Sequence, residues 1–365
     1  MINLVFGQAV NGLNSYSLSI YNDFNELEKE ETQKDFILLL KLVYNIKQIL
    51  LIDTVKDDIE AFGHYTSLQA LGFMLAMNEI EQDGQRQKLK NSETYSRLSH
   101  VLHMNDPKEG KMLDEYLGIS DHNFKKSDAD LTSSVTPWFL MSLTTNLDNL
   151  AMWSQYGDNA KGVCIAFKKE SFKLQKPANF SDMSFKSYKS TLQKDENDAD
   201  CSKFEIKEFD DENDYLYKVA YITTKGSQSA IKILETDLIK EKDAGNISNS
   251  LKDIKNIFSK NKENNDVIKI FSKHLDEVRY LFKSADYAYE SELRLLKYVD
   301  FSDREKIKLN ATKDSLPKLY VQRKSPIALN KIIFGPKLVE VEDLLPYIYL
   351  YDKNIECTRS SIDFR

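Results

Sequence analysis

Cysteine is scarce in this chain of 365 residues, which has three, Cys164, Cys201 and Cys357, with no paired spacing between them. A disulfide framework needs an even set of cysteines, and a structural zinc knuckle needs cysteine pairs. The scattered cysteines therefore exclude both kinds of site and indicate a reducing compartment.

The chain also lacks a charged-then-apolar leader and any apolar run of about 18 residues, the length that a membrane-spanning helix needs. We therefore expect no secretion signal and no membrane span, and we predict a cytoplasmic protein. Export by a route that leaves no mark in the sequence stays open.

A positive charge excess is missing as well. Asp and Glu number 57 against 50 Lys and Arg, which gives a net charge of −7. This is the wrong sign for a protein that coats nucleic acid, so we expect a macromolecular partner to be a protein rather than a nucleic acid. A local basic pocket remains compatible with the total.

What the chain does have is enough length and apolar content (41%) for a folded core. Residues 1–60 are predicted to form an N-terminal helical segment, and residues 61–365 the main domain. Polar stretches near 168–214 and 225–264 are predicted to be insertions at the surface. In the N-terminal segment, apolar residues at three- and four-residue steps predict a helix face that packs on a neighbouring helix: Phe36, Leu39, Leu40, Val43, Ile46 and Ile49.

Short apolar segments between turns predict strands, and longer periodic segments predict helices. The predicted strands are Arg97–His103, Trp138–Leu143, Gly162–Phe167, Tyr215–Thr224, Leu293–Val299, Ile327–Phe334 and Tyr347–Tyr351. The predicted helices are Ser67–Ile80, Asn146–Tyr156 and Asn265–Lys283. His100 and His103 would face opposite sides of their strand, so we expect no metal site there.

Two glutamates stand two residues apart at the head of the strand that runs from Leu293. In a strand, Glu290 and Glu292 share a face, and like charges this close shift each other's proton affinity. Arg294 shares that face and could neutralise Glu292 or bind a phosphate. The alternative is a solvated strand start without a function.

Two further groups of residues could bind a ligand. His64 and Thr66 could hold neighbouring hydroxyls of a sugar, unless His64 is simply a satisfied residue at a strand end. Trp153 and Tyr156 share a helix face, either as core residues or as a surface on which a flat ring stacks.

Together these segments resemble the bacterial domain-of-unknown-function family 2971. The pattern covers roughly residues 61–336 and consists of the following segments in order: His64-Tyr65-Thr66-Ser67, Asn105-Asp106-Pro107 with Glu109-Gly110, Met152-Trp153 with Tyr156 and Gly162, and the Tyr-Glu-x-Glu-x-Arg of 289–294. The resemblance indicates a real domain, and the family name implies no activity.

The order of these segments is also similar, more distantly, to ADP-ribosyltransferases. That resemblance implies an α+β fold with a split, mostly antiparallel sheet, flanking helices and NAD as substrate. It implies that His64 and Thr66 hold the ribose, that Ser142 braces the site and that Tyr156 or Tyr65 stacks on nicotinamide. Glu292 would bond the ribose 2′-hydroxyl, and Glu290 would activate the acceptor. The sequence departs from that superfamily at Tyr65, which stands where the usual residue is glycine.

We therefore predict an NAD-consuming enzyme that transfers ADP-ribose to a macromolecule, as a toxin, an effector or a phage-defence enzyme. Its catalytic residues would be Glu292 and Glu290, and its NAD-binding residues His64, Tyr65, Thr66, Ser142, Trp153, Tyr156 and Arg294, with no metal. The first alternative is a non-catalytic module that binds a nucleotide or a protein. A weaker alternative is a metal-independent enzyme that acts on RNA with His64 as the base.

Overall fold

The structure is a computed structural model, and it describes residues 15–52, 59, 61–75, 95–104, 110–119, 136–172, 215–223, 231–310 and 317–364. Helices of the described residues are α1 (Ser15–Glu26), α2 (Glu30–Leu50), α3 (Leu68–Met74), α4 (Lys111–Leu117), α5 (Leu150–Gln155), α6 (Glu241–Asn261), α7 (Asn265–Arg279) and α8 (Leu345–Tyr351). Short 3-10 turns include Val101–His103 and Ala285–Glu290.

The strands of the described residues are β1 (Phe62–Thr66), β2 (Tyr95–His100), β3 (Trp138–Thr144), β4 (Val163–Phe167), β5 (Leu216–Lys218), β6 (Ala220–Thr223), β7 (Lys232–Ile233), β8 (Phe282–Ser284), β9 (Glu292–Tyr298), β10 (Ile307–Asn310), β11 (Lys318–Pro326), β12 (Leu329–Phe334) and β13 (Glu356–Arg359).

Ten of these strands form one sheet, in which β3 is the branch point. The main path runs β10-β11-β2-β3-β1-β4-β12-β13, while β9 also pairs with β3 and β5 pairs with β9. Every pairing in this sheet is antiparallel except the one between β12 and β13. A small second sheet has the order β7-β6-β8. The prediction of an α+β protein with a mostly antiparallel sheet is confirmed.

The two faces of the large sheet differ in what covers them. On β3 and β9, Phe139, Met141, Leu143, Leu293 and Leu295 join an apolar cluster on one face, which we call the apolar face. Leu140 and Leu296 point the other way and belong to the cluster that contains α2, α6 and α7. We call this second side the carboxylate face, because Glu292 and Arg294 lie on it.

The N-terminal helix α2 packs on α6 and α7, as its periodic face predicted. Phe36, Leu39 and Ile46 are completely buried, and the Phe36 ring stacks on Phe271 of α7 at 5.8 Å between centroids. Leu51, directly after α2, forms an isolated bridge with Tyr217 of β5.

The prediction of a polar surface excursion over residues 225–264 is wrong for its second half. That stretch contains α6, a helix of 21 residues with a buried stripe: Ala244, Ile247, Leu251, Ile254, Ile257 and Phe258. The stripe has three- and four-residue steps, and the lysines, asparagines and serines between its members lower the average hydropathy without breaking the face.

Several predicted element boundaries are also wrong. Tyr347–Tyr351 lies in helix α8, which has a proline at its start, and not in a strand. Tyr215–Thr224 breaks at Val219, so β5 joins the large sheet and β6 the small one. The helix predicted over Asn265–Lys283 ends at Arg279 and is followed by β8.

Other boundaries differ by a few residues. The helix predicted from Asn146 begins at Leu150, where the Asn149 side chain caps it. Ser67 caps α3, because its hydroxyl accepts from the Ala70 N–H at 3.2 Å. Strand β2 ends at His100, and the turn that follows brings the centroids of the His100 and His103 rings to 5.7 Å. Residues 105–109 of the family pattern and residues 173–214 of the first predicted insertion lie outside the described residues.

Candidate functional site

The positions of Glu290 and Glu292 depend on a change of backbone conformation at the residue between them. Glu290 ends the 3-10 turn Ala285–Glu290, whose start is capped by the Ser284 hydroxyl, and Glu292 begins β9. Ser291 between them has φ 43° and ψ 50°, in the left-handed region that residues other than glycine rarely adopt. The prediction that both glutamates stand in one strand is therefore wrong, although their side chains do meet.

They meet at Lys283, which lies in β8. Its ammonium donates to Glu290 Oε2 at 2.5 Å and to Glu292 Oε2 at 3.3 Å. Glu290, Glu292 and Lys283 expose only 2%, 4% and 6% of their surfaces. Burial lowers the pKa of Lys283, but the two carboxylates outweigh burial and raise it overall, so Lys283 stays charged.

Arg294 clamps Glu292 from the next position on the same face of β9. Its Nε donates to Glu292 Oε1 at 2.8 Å and its Nη2 to Oε2 at 2.9 Å, a bidentate pair. Burial works to raise the pKa of Glu292, but Arg294 and Lys283 overcome burial and hold that pKa at about 2. Of the two roles left open for Arg294, these contacts are those of a partner that neutralises Glu292.

The pKa of Glu290 is shifted in the opposite direction. Burial raises its pKa, the Glu292 charge raises it further, and hydrogen bonds from Lys283 and Tyr156 offset only part of the rise. The Tyr156 hydroxyl donates to Glu290 Oε1 at 2.9 Å. Lys283 thus contacts one carboxylate with a lowered pKa and one with a raised pKa. In such a pair, the carboxylate with the lowered pKa stays ionised, and the one with the raised pKa can take up or give a proton.

Strand β3 brings two hydroxyls to the carboxylates, because Ser142 pairs with Arg294 and Thr144 with Glu292. The Thr144 hydroxyl donates to the backbone oxygen of Glu290 at 2.5 Å. The Ser142 hydroxyl helps to lower the pKa of Glu292, yet its oxygen is buried and makes no well-formed hydrogen bond with any described residue. Ser142 and Tyr156 are half-buried, whereas Lys283, Glu290, Glu292 and Arg294 are buried.

We call Ser142, Tyr156, Lys283, Glu290, Glu292 and Arg294 the carboxylate cluster. It lies between apolar groups on one face of the sheet, with Leu140 and Leu296 on one side and Tyr65 and Trp153 on the other. The backbone N–H of Glu292 donates to the Tyr221 hydroxyl at 2.9 Å, and Arg294 Nη1 donates to the Tyr280 carbonyl. Charges in such surroundings interact more strongly than they would in water.

The structure does not bring His64 and Thr66 to this cluster. β1 and β9 lie on opposite edges of β3, and the register pairs His64 with Ile165 of the apolar face. By strand alternation the side chains of His64 and Thr66 therefore project from the face opposite Glu292. His64 is half-buried, its Nδ1 lies 2.9 Å from the Ser142 carbonyl, and burial lowers its pKa.

Tyr65 and Trp153 lie on the carboxylate face, but both are core residues. Trp153 is completely buried, its ring meets Tyr65 edge-on at 4.8 Å, and its Nε1 donates to Asp148 at 2.6 Å. The Tyr65 hydroxyl donates to the Asn146 carbonyl and accepts from the Asn149 N–H, each at 3.0 Å. Neither ring has a free face, so their packing does not support the predicted contact with a cofactor.

Lys283 was not among the predicted site residues, because the helical pattern from Asn265 extended through it. The signal that could have found it is the apolar pair Leu281-Phe282 directly before it, since such a pair suits a short buried strand. No helix in the described parts of the chain is long and apolar enough to cross a membrane. Those parts also contain no group of three His, Cys, Asp or Glu side chains that could hold a metal ion.

Comparison with known families supports the first of the two resemblances. The model of a family described as a protein of unknown function (DUF2971) matches residues 152–295, which include β4 to β8, Tyr156, Lys283 and the two glutamates. His64, Thr66 and Ser142 lie outside the matched residues. A search of curated proteins and a search of solved structures found no match to this chain.

Proposed function

We propose that the carboxylate cluster cleaves the bond between nicotinamide and ribose in NAD and transfers ADP-ribose to a macromolecular acceptor, a protein rather than a nucleic acid. The observation that supports this proposal is the pair of buried carboxylates with opposite pKa shifts on one lysine. Pairs of this kind serve reactions in which a sugar carbon becomes cationic while a proton moves at a second group.

The proposed step assigns one role to each carboxylate. The bond between C1′ of the ribose and the nicotinamide nitrogen breaks, and its electron pair leaves with nicotinamide. Glu292, ionised at any physiological pH, stabilises the positive charge on the ribose ring. A nucleophile of the acceptor forms the new bond to C1′ and gives its proton to Glu290, whose raised pKa makes it a stronger base than an ordinary carboxylate.

Glu292 retains acceptor capacity for this role. A carboxylate offers about four acceptor positions, and the contacts from Arg294 and Lys283 use one position on Oε1 and two on Oε2. A ribose hydroxyl could therefore bind Oε1 from the side of Ser142. The proposed site does not use His64, Tyr65, Thr66 or Trp153.

A second candidate function is favoured by the completeness of the ion pairing. Lys283 and Arg294 neutralise both carboxylates, as expected if the cluster stabilises the fold of a non-catalytic module that binds a nucleotide or a protein. Calorimetry separates the two functions. A module would bind its ligand without turnover, and the binding would survive replacement of both glutamates.

The proposed function is tested by measuring nicotinamide released from NAD in the presence of candidate protein acceptors. We expect release by the wild-type protein and a rate about 10²- to 10³-fold lower in Glu292→Gln. Asp23→Asn is the matched control, because Asp23 is also a buried carboxylate paired with two basic groups, His274 and Lys273. Intact NAD after long incubation, or equal losses in both variants, would contradict the proposal.

A further inference from the structure

Helix α8 contains no charged residue, although one of its sides is exposed to solvent. Its sequence is Leu-Pro-Tyr-Ile-Tyr-Leu-Tyr. Ile348 is completely buried in the cluster on the apolar face of the sheet, so it marks the side of α8 that packs on the protein. A surface helix normally has polar residues on its other side, and a helix that is apolar all round is normally covered.

The side of α8 opposite Ile348 is an apolar patch. Successive helical residues are about 100° apart, so Pro346 and Leu350 point away from Ile348, with Tyr347 and Tyr349 on either side of them. Tyr347, Tyr349 and Leu350 are 58%, 59% and 63% exposed, and Pro346 is exposed as well. We call these four residues the α8 patch. Large apolar side chains that are exposed together, unlike single ones, mark an interaction surface.

Exposed residues of opposite charge stand at the two ends of the α8 patch. Asp343 ends the 3-10 turn Val341–Asp343 just before α8, and Lys353 follows α8. Neither side chain has an ion-pair partner among the residues that the structure describes. Asp352, next to Lys353, is paired with Lys168 at 3.7 Å. The patch therefore has an acidic end and a basic end.

We propose that the α8 patch binds the α8 patch of a second copy of this chain around a two-fold axis, with the two helices antiparallel. A two-fold interface needs a surface that is complementary to itself. Antiparallel helices place the start of one beside the end of the other, so Asp343 of each copy lies near Lys353 of the other copy. The apolar patches then cover each other, and the two Asp–Lys pairs set the direction of the helices.

A lipid surface fits the α8 patch less well than a second copy does. A helix that lies on a membrane has lysine or arginine beside its apolar face, and anionic headgroups repel carboxylates. The segment that leads into α8 has three exposed acidic residues, Glu340, Glu342 and Asp343. Because α8 packs on the cluster of the apolar face, whereas the carboxylate cluster lies on the other face, the dimer does not depend on the proposed function.

Analytical ultracentrifugation of the full chain over a range of concentrations tests the proposal. We expect the mass to rise from the 42.2 kDa of one chain towards twice that value, with a dissociation constant of about 100 µM or lower, since small interfaces are weak. Leu350→Glu places a charge within the patch and should raise that constant at least about ten-fold. Leu102→Glu is the matched control, because Leu102 is 62% exposed in the turn Val101–His103, and it should dimerise as the wild type does.

Charge exchange tests the antiparallel arrangement. Asp343→Lys and Lys353→Asp should each weaken the dimer, because each brings like charges together, and the double variant should dimerise more tightly than either single variant. Circular dichroism checks that the variants stay folded, which we expect at exposed positions.

Three results would overturn the proposal: a wild type that stays monomeric at about 500 µM, equal effects of Leu350→Glu and Leu102→Glu, or a double variant that dimerises no better than the single variants. Binding of a monomeric wild type to lipid vesicles would overturn it as well.

Discussion

Lys283 is the residue on which both carboxylates depend, because its buried ammonium contacts Glu290 and Glu292 together. Removing one partner of a buried ion pair leaves an uncompensated charge, which typically costs about 3–5 kcal/mol. We therefore predict that Lys283→Met lowers the free energy of unfolding by about 3 kcal/mol, measured by urea denaturation.

A double-mutant cycle gives the control for this prediction. Glu290→Gln added to Lys283→Met should restore at least about 1 kcal/mol, because it removes the carboxylate that loses its basic partner, whereas Glu292 stays paired with Arg294. If Lys283→Met stayed within about 0.5 kcal/mol of the wild type, the ion pairs would contribute little to the fold.

The lowered pKa of Glu292 predicts a specific dependence of stability on pH. Its pKa falls from an ordinary value of 4.5 in the unfolded chain to about 2 in the folded protein. The ionised carboxylate therefore stabilises the fold fully above pH 4.5, and this contribution is lost as the pH falls through about 2.

The measurement compares Glu290→Gln with Glu290→Gln/Glu292→Gln, so that the titration of Glu290 does not interfere. We expect the difference in unfolding free energy between the two variants to be constant above about pH 5.5 and to shrink steadily below about pH 4.5. A difference that did not change over this range would mean that Arg294 and Lys283 do not hold the pKa of Glu292 low.

Spacing within one segment was the reliable guide to single residues. The two-residue step from Glu292 to Arg294 predicted a shared strand face, and the two side chains are paired there. Glu290 lies before the strand and joins them through Lys283. Spacing within one segment did not predict the position of His64. The face to which it projects depends on the register of β1 against β3 and β4, and one strand's sequence does not contain that register.

Helix α6 shows how a polar segment contributes to the core. We predict that Leu251→Ala lowers the free energy of unfolding by about 2–5 kcal/mol, because Leu251 is completely buried among the residues that pack α6 on α2. The measurement is urea unfolding followed by circular dichroism.

Lys252→Ala is the control at the neighbouring, exposed position of the same helix, and it should change stability by no more than about 0.5 kcal/mol. Equal effects of the two substitutions would indicate that α6 does not pack as described. A Leu251→Ala effect as small as that of the control would indicate the same.

Helices and strands whose apolar residues follow a clear pattern were predictable. Those whose residues favour different structures were not. The strands from Trp138, Val163 and Leu329 agree with prediction to within two residues, because each consists mostly of apolar residues. Helix α8 was predicted as a strand because Tyr347, Ile348 and Tyr349 favour strands locally. Tyr347, Tyr349 and Leu350 are more than half exposed, so the helix has no regular apolar face from which it could be predicted.

At the scale of the whole molecule, the branch at β3 determines which side chains come together at the candidate site. β3 holds β9 on one edge and both β1 and β2 on the other, so segments far apart in the chain meet along one strand. The sequence predicted the fold class, but it did not predict this branching, since the pairing partners of β3 lie both before and after it in the chain.

The N-terminal helices belong to the same architecture. α2 packs on α6 and α7, and α1 is joined to α7 by the buried contact between Asp23 and His274 at 2.6 Å. A single helical layer therefore covers the carboxylate face beside the cluster, and residues from the first and last thirds of the chain contribute to it.

The most direct test of the account is a crystal structure of the Glu290→Gln variant with bound NAD. We predict density for the nicotinamide ribose against Glu292 Oε1, beside Ser142 and Tyr156. Density for NAD on the His64 side of the sheet, with an unchanged carboxylate cluster, would contradict this prediction.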